Sequence, residues 1–305
     1  RMQKVISLLT PTDLDLKKLS LLSFFLSEKT YNCIMKIFFL GPEGTNSDLA
    51  SKAIFNKSFS FVPTNSIEDI FEKVALSHSY NGVIPFENSY QGVINSSLNS
   101  LIDYDLKITK EYNFAISHHL CSSNKSTEFR HIKKVLSHAQ VFGQCNNWLR
   151  QNMPNAERVV VASTGEAARM AIEDKDIYCI ANSYAIDLLQ LNIHADNIQD
   201  RSDNKTRFLV IGKMIEAAGE NNKTSIMINI NDKPGSLLKI LQPFADLGIN
   251  MTRIETRPSR NNIFHHTFFI DFDGYFEEDI SQKLLEQLES ISEELRVIGS
   301  YPVLK

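Results

Sequence analysis

Short apolar runs alternate with amphipathic stretches between Lys36 and Gly212. The runs are short enough for strands, and the stretches between them have the apolar spacing of helices. The predicted strands are Ile37–Leu40, Phe59–Val62, Gly82–Ile84, Asp105–Ser117 (with a break), Val135–Leu136, Val159–Val161, Tyr178–Ala181 and Arg207–Gly212, and the predicted helices include Ser47–Asn56, Ser66–Leu76, Val141–Asn152 and Gly165–Asp174. This alternation predicts an α/β fold with largely parallel sheets, long enough for two lobes with a cleft between them.

A different pattern follows the small, polar segment Ala217–Asn222. It predicts a strand, a helix, two strands, a helix and a strand, at Thr224–Ile230, Ser236–Leu247, Asn250–Arg257, His265–Asp271, Ile280–Ser292 and Leu295–Ser300. This βαββαβ order predicts an antiparallel sheet with two helices on one face. Because the edges of such a sheet must be covered or paired, we expect the module to dimerise.

Residues 1–34 have a different pattern from the rest of the chain. Their longest apolar run, Leu19–Leu26, is too short to span a bilayer. Lys17 and Lys18 precede it as in a signal peptide, but so do two aspartates, and no cleavage site follows. An amphipathic helix or a leader outside the fold is the favoured interpretation, and Met35 would be a natural start.

Charge and cysteine content narrow the possible functions. Thirty-two basic and 36 acidic side chains give a net charge of -4, so the molecule as a whole does not attract nucleic acid or anionic lipid. The four cysteines lack the spacing of zinc ligands and are few for a disulfide framework. Reduced, buried thiols and a cytoplasmic location are therefore expected.

Glycines and polar residues follow two of the predicted strands. In Gly41-Pro42-Glu43-Gly44-Thr45-Asn46-Ser47, Thr45 or Ser47 can cap a helix whose free N–H groups face an anion. The segment Pro85-Phe86-Glu87-Asn88-Ser89-Tyr90-Gln91-Gly92 places a carboxylate and an amide where open α/β sheets bind ligands. Both patterns also occur at ordinary turns, where Asn88 would cap a helix and Glu87 would be solvated.

Two further motifs also lie next to predicted strands. The first is Ser137-His138-Ala139-Gln140, in which His138 is more often structural than catalytic, because nothing in the sequence fixes a partner for it. The second is Asn204-Lys205-Thr206-Arg207-Phe208, in which Arg207 is suited to bind a carboxylate through two hydrogen bonds. No single motif identifies a reaction.

Taken in order, the motifs resemble those of the prephenate dehydratase family, from about Lys36 to the C-terminus. The matching residues are Gly41-Pro42-x-Gly44-Thr45, Pro85-x-Glu87-Asn88-x-x-x-Gly92, Ser137-His138-x-Gln140, Ser163-Thr164 and Thr206-Arg207-Phe208. The C-terminal module resembles the family's ACT domain through Gly235-Ser236-Leu237 and Glu255-Thr256-Arg257-Pro258. Asn46, Ala139, Ser236 and Thr256 depart from the family's usual residues, which bears on substrate affinity and effector sensitivity but not on the type of reaction.

The resemblance implies a two-lobed catalytic domain, similar to periplasmic binding proteins, and a C-terminal ACT domain that senses phenylalanine. It implies conversion of prephenate to phenylpyruvate, carbon dioxide and water without a metal or other cofactor. Thr206 is the implied donor to the departing hydroxyl, and Glu87 is the physical alternative, because burial would keep it protonated. The other implied residues are Asn88 and Gln140 in catalysis, Thr45, Ser89, Ser137, His138, Ser163, Thr164, Arg207 and Phe208 in substrate binding, and Gly235, Ser236, Leu237, Asn250, Glu255, Thr256, Arg257 and Pro258 in effector binding.

The expected domains are a leader of uncertain origin (1–34), the catalytic domain (35–214), a linker (215–222) and the ACT domain (223–305). A homo-oligomer, either a dimer or a tetramer, is expected to form through the ACT domain, with no nucleic acid or membrane partner.

Three alternatives remain open at this stage. The first is arogenate dehydratase, whose substrate carries an amino group in place of the keto oxygen. The second is a non-catalytic amino-acid sensor. The third is that residues 1–34 are the tail of an upstream chorismate mutase; 34 residues are too few to form a mutase active site, so no mutase activity is expected of this chain.

Overall fold

The computed structural model describes residues 35–305, apart from 91, 126–127, 202, 232, 259–264 and 305. The chain divides into two units, residues 1–35 and 36–305, and every described helix and strand lies in the second. The predictions for the leader therefore fall outside the described residues. None of the helices in the described part of the chain has the length and apolar character needed to cross a bilayer.

The second unit begins with a first lobe and crosses into a second lobe after β5. The elements of the first lobe up to that crossing are β1 (Lys36–Leu40), α1 (Asn46–Ile54), β2 (Ser60–Thr64), α2 (Ile67–Val74), β3 (Tyr80–Asn88), β4 (Gly92–Val93), α3 (Asn95–Asp103) and β5 (Lys107–Ala115). The second lobe contains β6 (His119–Ser122), β7 (Lys134–Ser137), α4 (Ala139–Gln144), α5 (Asn146–Asn152), β8 (Glu157–Val160), α6 (Thr164–Glu173), β9 (Tyr178–Ala181), α7 (Ser183–Leu189) and β10 (Asn192–Ala195).

The chain then returns to the first lobe through β11 (Lys205–Gly212) and continues into a C-terminal module. That module consists of β12 (Asn222–Asn231), α8 (Ser236–Leu247), β13 (Met251–Pro258), β14 (His265–Asp273), α9 (Asp279–Ile291) and β15 (Glu294–Leu304). The predicted βαββαβ order is confirmed. Glycines bound α8, since Gly235 and Gly248 both have a positive φ that L side chains rarely adopt.

The α/β class is confirmed, but the expectation of largely parallel sheets is wrong, because both sheets are mixed. The second lobe has the strand order β10-β6-β9-β7-β8, with β6 antiparallel to both neighbours. In the first lobe, β11 lies between β3 and β5 and runs antiparallel to both. A strand that returns from another lobe has no crossover helix to set it parallel, which explains the difference.

The first lobe and the C-terminal module share one sheet, in the order β13-β14-β12-β15-β5-β11-β3-β1-β2. The junction is the parallel pairing of β15 with β5. A common core continues across it, since Ile108 and Leu209 of the lobe belong to the same buried cluster as Met227, Phe269 and Tyr301 of the module. One edge of the module is thus covered by the chain itself, which the sequence did not predict.

Two segments, 116–118 and 196–204, connect the lobes. Backbone hydrogen bonds tie the segments together, from Ile116 N to Asn204 O (2.9 Å) and from Ile198 N to His118 O (2.9 Å). The strand predicted with a break at Asp105–Ser117 is instead the unbroken β5, Lys107–Ala115, and the first segment follows its end. The single predicted helix Val141–Asn152 is instead two helices, separated at Cys145.

Candidate active site

A cleft of about 420 Å³ lies between the lobes and contains most of the motifs found in the sequence. Eight residues predicted to act in catalysis or substrate binding line it: Thr45, Asn88, Thr206 and Phe208 from the first lobe, and His138, Gln140, Ser163 and Thr164 from the second. The structure therefore brings together residues that are up to about 160 positions apart in the chain. Among the described residues that line the cleft, none is an arginine or a lysine.

Thr206 and Asn88 face each other across the pair of strands that forms the floor of the cleft. They are register partners on β11 and β3, and Asn88 Nδ2 donates to Thr206 Oγ1 at 3.0 Å. Thr206 is 9% exposed, so its hydroxyl lies in a largely desolvated position. Among the described contacts this hydroxyl accepts from Asn88 and donates to no protein group, which leaves its hydrogen available for a ligand.

Two helices begin at the cleft. Thr45 caps α1 by accepting from Asp48 N at 3.3 Å, and Ser163 caps α6 by accepting from Glu166 N at 3.0 Å. Each cap satisfies one N–H group of the first turn and leaves others free. The two helix dipoles place partial positive charge on both sides of the cleft, which favours an anionic ligand.

Residues at the start of α1 also connect the two lobes. Asn182, in the second lobe, donates through Nδ2 to Gly44 O at 3.1 Å and to Asn46 Oδ1 at 2.9 Å. Arg169 Nη2 donates to Glu43 O at 3.1 Å. These contacts hold the lobes together beside the cleft. Asn46, which the sequence marked only as a departure from the family motif, both lines the cleft and bridges the lobes. The cleft residue Ser96 was not identified from the sequence.

Arg207 does not lie in the cleft, which corrects its predicted role in substrate binding. Successive side chains of a strand point to opposite faces, so Arg207 points away from the face that carries Thr206 and Phe208. Its Nη1 lies 2.6 Å from Asp271 Oδ2, its Nη2 lies 2.6 Å from Glu111 Oε2, and it donates to Tyr301 OH at 3.1 Å. Arg207 thus binds protein carboxylates at the junction with the C-terminal module.

The charges around Arg207 stabilise its ionised form. Burial by itself would lower the pKa of Arg207, but Asp271, Tyr301 and Glu111 outweigh burial and raise the pKa above its ordinary value. Burial likewise would raise the pKa of Asp271, but Arg207 and Ser225 lower that pKa below its ordinary value. The two groups therefore form a buried, charged pair.

Glu87 also faces the junction and not the cleft. Its carboxylate lies 3.4 Å from Arg253 Nε and 3.9 Å from Arg207 Nη1. It is the register partner of Arg207 on β3, so strand alternation turns both side chains to the same face. The structure thus gives Glu87 two guanidinium neighbours, where the sequence had predicted apolar neighbours beside the substrate.

Two serines that were predicted to bind substrate form hydrogen bonds with the backbone and do not line the cleft. Ser137 is fully buried and donates to Ile180 O at 2.9 Å. Ser89 accepts from Lys205 N at 3.1 Å, which fixes the end of β3 against the start of β11. Their predicted contacts with substrate are corrected accordingly.

Five of the eight predicted effector residues line two separate cavities within one chain. Gly235, Ser236 and Leu237 border a cavity of about 170 Å³ with His266 and Phe268. Arg257 and Pro258 border another, of about 460 Å³, between the C-terminal module and α3. The others lie outside both: Glu255 lies within 3.7 Å of Arg253 and Arg257 guanidinium atoms, Thr256 is exposed on β13, and Asn250 donates to Asp273 Oδ2 at 2.8 Å.

The described residues contain no cluster of three or more His, Cys, Asp or Glu side chains arranged to hold a metal ion. The cleft contains amides, hydroxyls, one histidine and two helix starts. It is suited to bind an anion and to donate hydrogen bonds to oxygen atoms that gain negative charge.

Family models and related proteins match both parts of the chain. The model described as Prephenate dehydratase matches residues 37–216, and the ACT domain model matches residues 224–293. A bifunctional chorismate mutase/prephenate dehydratase of Aquifex aeolicus is 38% identical over 268 residues, which are 88% of this chain and 74% of that protein. An Arabidopsis thaliana protein named arogenate dehydratase/prephenate dehydratase 2, chloroplastic, is 32% identical over 88% of this chain and 73% of its own length.

A solved structure extends this likeness to three dimensions. The prephenate dehydratase of Arthrobacter aurescens, in complex with L-Phe, has a TM-score of 0.80 to this chain. The two are 29% identical, and the match covers 88% of this chain and 89% of the other.

Proposed function

The chain belongs to the prephenate dehydratase family, and from that membership we propose that the cleft between its lobes is where prephenate becomes phenylpyruvate, carbon dioxide and water. The bond between the ring and its carboxylate breaks and leaves an electron pair in the ring. The bond to the ring hydroxyl then breaks, and the hydroxyl departs with its electrons. The ring becomes aromatic, so the barrier lies mainly in the expulsion of a poor leaving group.

The observation that supports this site best is the Thr206 hydroxyl, which accepts from Asn88 and keeps its own hydrogen for a ligand. A donor aimed at the departing oxygen stabilises the charge that this oxygen gains. A threonine hydroxyl does not titrate near neutral pH, so it acts as a placed donor, and water supplies the net proton. Placed acid catalysis of this kind typically contributes about 10²–10⁴-fold.

The two helix starts supply the charge complement for a substrate with two carboxylates. The N–H groups at the start of α1 lie on one side of the cleft and those of α6 on the other, each behind its side-chain cap. Gln140 and His138 add polar groups from the second lobe. A carboxylate held by neutral donors loses its electrons more readily than one paired with a cation, which suits the decarboxylation.

The test is phenylpyruvate formation from prephenate by the purified chain, read by absorbance in alkali. Thr206→Val keeps the shape of the side chain and removes the hydroxyl, and Thr206→Ser keeps the hydroxyl. We expect Thr206→Val to lower kcat about 10²-fold or more and Thr206→Ser to retain most activity. If the kcat of Thr206→Val stays within a few-fold of the wild-type value, Thr206 has no part in the mechanism.

Arogenate is the second candidate substrate, and the name of the Arabidopsis relative supports testing it. Steady-state kinetics with prephenate and arogenate side by side separate the two activities by their kcat/KM ratio. A chain inert toward both acids would support the amino-acid sensor instead.

We further propose that phenylalanine binds the ACT domain and suppresses turnover, and that a second copy of the chain completes the site. The Arthrobacter protein was solved with L-Phe. The two effector motifs line different cavities within one chain, and a partner could bring one motif next to the other. Leu237 and Leu238 are 44% and 64% exposed beside Gly235, which is consistent with a surface covered by a partner.

A cytoplasmic location is proposed on the state of the cysteines. Cys121, Cys145 and Cys179 are free and buried, and burial raises the pKa of Cys145 to about 12. Thiols in that state are typical of a reducing compartment. Fractionation of cells that express the native gene would test it, and recovery outside the cytoplasm would contradict it.

A further inference from the structure

A hydrogen-bond chain runs from the Thr206 hydroxyl to the connection between the lobes. It starts at Asn88, whose Oδ1 accepts from Tyr90 N at 3.0 Å. A backbone N–H can only donate, so this contact fixes which end of the amide is oxygen. The Nδ2 group must therefore face the other way, where it meets Thr206 Oγ1 at 3.0 Å and Asn204 Oδ1 at 3.1 Å.

The same logic determines the next two residues. Because Asn204 accepts from Asn88 through Oδ1, its Nδ2 is the end that faces Gln144, and it donates to Gln144 Oε1 at 2.9 Å. That oxygen also contacts His118 Nε2 at 2.6 Å, so the histidine must carry its hydrogen on Nε2. His118 Nδ1 is buried with no partner among the described residues, which agrees with an unprotonated nitrogen there.

The members of this hydrogen-bond chain are shielded from solvent. Asn204 is 1% exposed and His118 is 2% exposed, and burial lowers the pKa of His118, which favours the neutral ring. His118 and Asn204 occupy the two segments that connect the lobes, and Gln144 ends α4 in the second lobe. Each member has one defined donor and acceptor direction, so the chain has a single consistent arrangement.

We propose that Asn204, Gln144 and His118 are positioning residues that, together with Tyr90 N and Lys205 O, hold the Asn88 amide in this orientation, so that the Thr206 hydroxyl donates into the cleft. With Asn88 Nδ2 directed at Thr206, the threonine oxygen must accept and its hydrogen turns toward the substrate. If the amide reversed, Asn88 Oδ1 would take that hydrogen. Thr206 would then be an acceptor in the cleft, the wrong polarity for a departing hydroxide.

This inference rests on the proposed function, because it assigns the hydrogen-bond chain from Asn88 through Asn204 and Gln144 to His118, called the relay below, to the same reaction. The relay also joins the lobes, so its members have a second role that is purely structural. A structural role would alter stability, substrate binding and turnover together. A positioning role acts through Thr206 and disappears when the Thr206 hydroxyl is removed.

The test is a double-mutant cycle on kcat with Asn204→Ala and Thr206→Val. Alone, Asn204→Ala is expected to lower kcat about tenfold or more with KM nearly unchanged, since misplacing a reacting group is costly. In the Thr206→Val background the same change is expected to lower kcat less than twofold. Equal effects in both backgrounds would overturn the proposal. Asn124→Ala is the control, since Asn124 also makes two hydrogen bonds, in the second lobe away from the relay.

A second pair of variants decides the matter if Asn204→Ala does not fold. Gln144→Glu keeps an oxygen for both donors, whereas Gln144→Leu has similar size and accepts from neither. We expect Gln144→Glu to retain activity and Gln144→Leu to lower kcat, at matched thermal midpoints of unfolding. Equal activity of the two would refute the relay while the wild-type enzyme still turns over prephenate. A wild-type chain inert toward prephenate would overturn the proposed function and this role with it.

Discussion

The Arg207 guanidinium lies 2.6 Å from the Asp271 carboxylate, although Arg207 follows Thr206 directly in the chain. Thr206 faces the cleft, and Arg207 reaches through the sheet junction to β14 of the ACT domain. Asp271 also accepts from Ser225 of β12 at 2.5 Å, and Lys223 lies 2.8 Å from Glu111. The strand with the candidate catalytic hydroxyl is thus fastened to the regulatory domain by buried charge at the next residue.

Removal of the Arg207 charge should destabilise the protein strongly. Arg207→Met leaves Asp271 buried without its cation, and such uncompensated charges typically cost about 3–5 kcal/mol. The free energy of unfolding in urea measures this loss. Arg201→Met is the matched control, because Arg201 pairs with Asp203 at the surface, where both side chains are more than 60% exposed. That change should leave the unfolding curve essentially unaltered.

Asp271 should make part of the stability depend on pH in the acid range. Because its folded-state pKa lies below its ordinary value of 3.8, its contribution is complete above that value and is lost as pH falls through the lower folded-state pKa. The gap in unfolding free energy between wild type and Asp271→Asn should therefore narrow as pH falls below about 4. Asp246→Asn, an exposed aspartate in α8, is the control. A gap that stays constant down to about pH 2 would show that Asp271 is not stabilised in its ionised form.

The Thr206–Arg207 pair also shows how far the sequence alone can predict the site. The motifs named the cleft residues because short runs at strand ends and helix starts retain their local geometry. The same motifs led to the wrong prediction that Arg207 and Glu87 contact the substrate, because a short motif does not show which face of a strand packs against which partner. The deciding partner of Arg207, Asp271, is 64 positions away, and Asn88 and Asn204 are 116 apart. Such contacts are set by the sheet order and the returning strand β11, which local patterns do not predict.

Gly165 should control how closely the lobes approach. A Cβ at this position would lie 3.1 Å from Glu43 O in the other lobe, so alanine must push the lobes apart. We expect Gly165→Ala to raise KM for prephenate several-fold, with a smaller effect on kcat. Gly143→Ala is the matched control, since Gly143 is also helical and has no atom within 4 Å of an added Cβ. It should gain about 0.5–1 kcal/mol of stability from helix propensity and keep KM. Equal KM values for the two variants would exclude a steric role for Gly165 in closure.

Leu238 should distinguish a surface used for self-association from one that is only exposed. This side chain is 64% exposed on α8, two residues beyond the start of the helix and next to the Gly235-Ser236-Leu237 motif. A carboxylate buried at an interface would remain unpaired, so Leu238→Glu should shift the mass measured by light scattering toward the monomer. If a second copy completes the effector site, the same variant should also lose inhibition by phenylalanine while turnover without effector persists.

Leu76→Glu is the control for this surface. Leu76 is 77% exposed in the first lobe, so the change should alter neither the mass nor the inhibition. A Leu238→Glu variant with unchanged mass and full inhibition would place the partner surface elsewhere on the ACT domain.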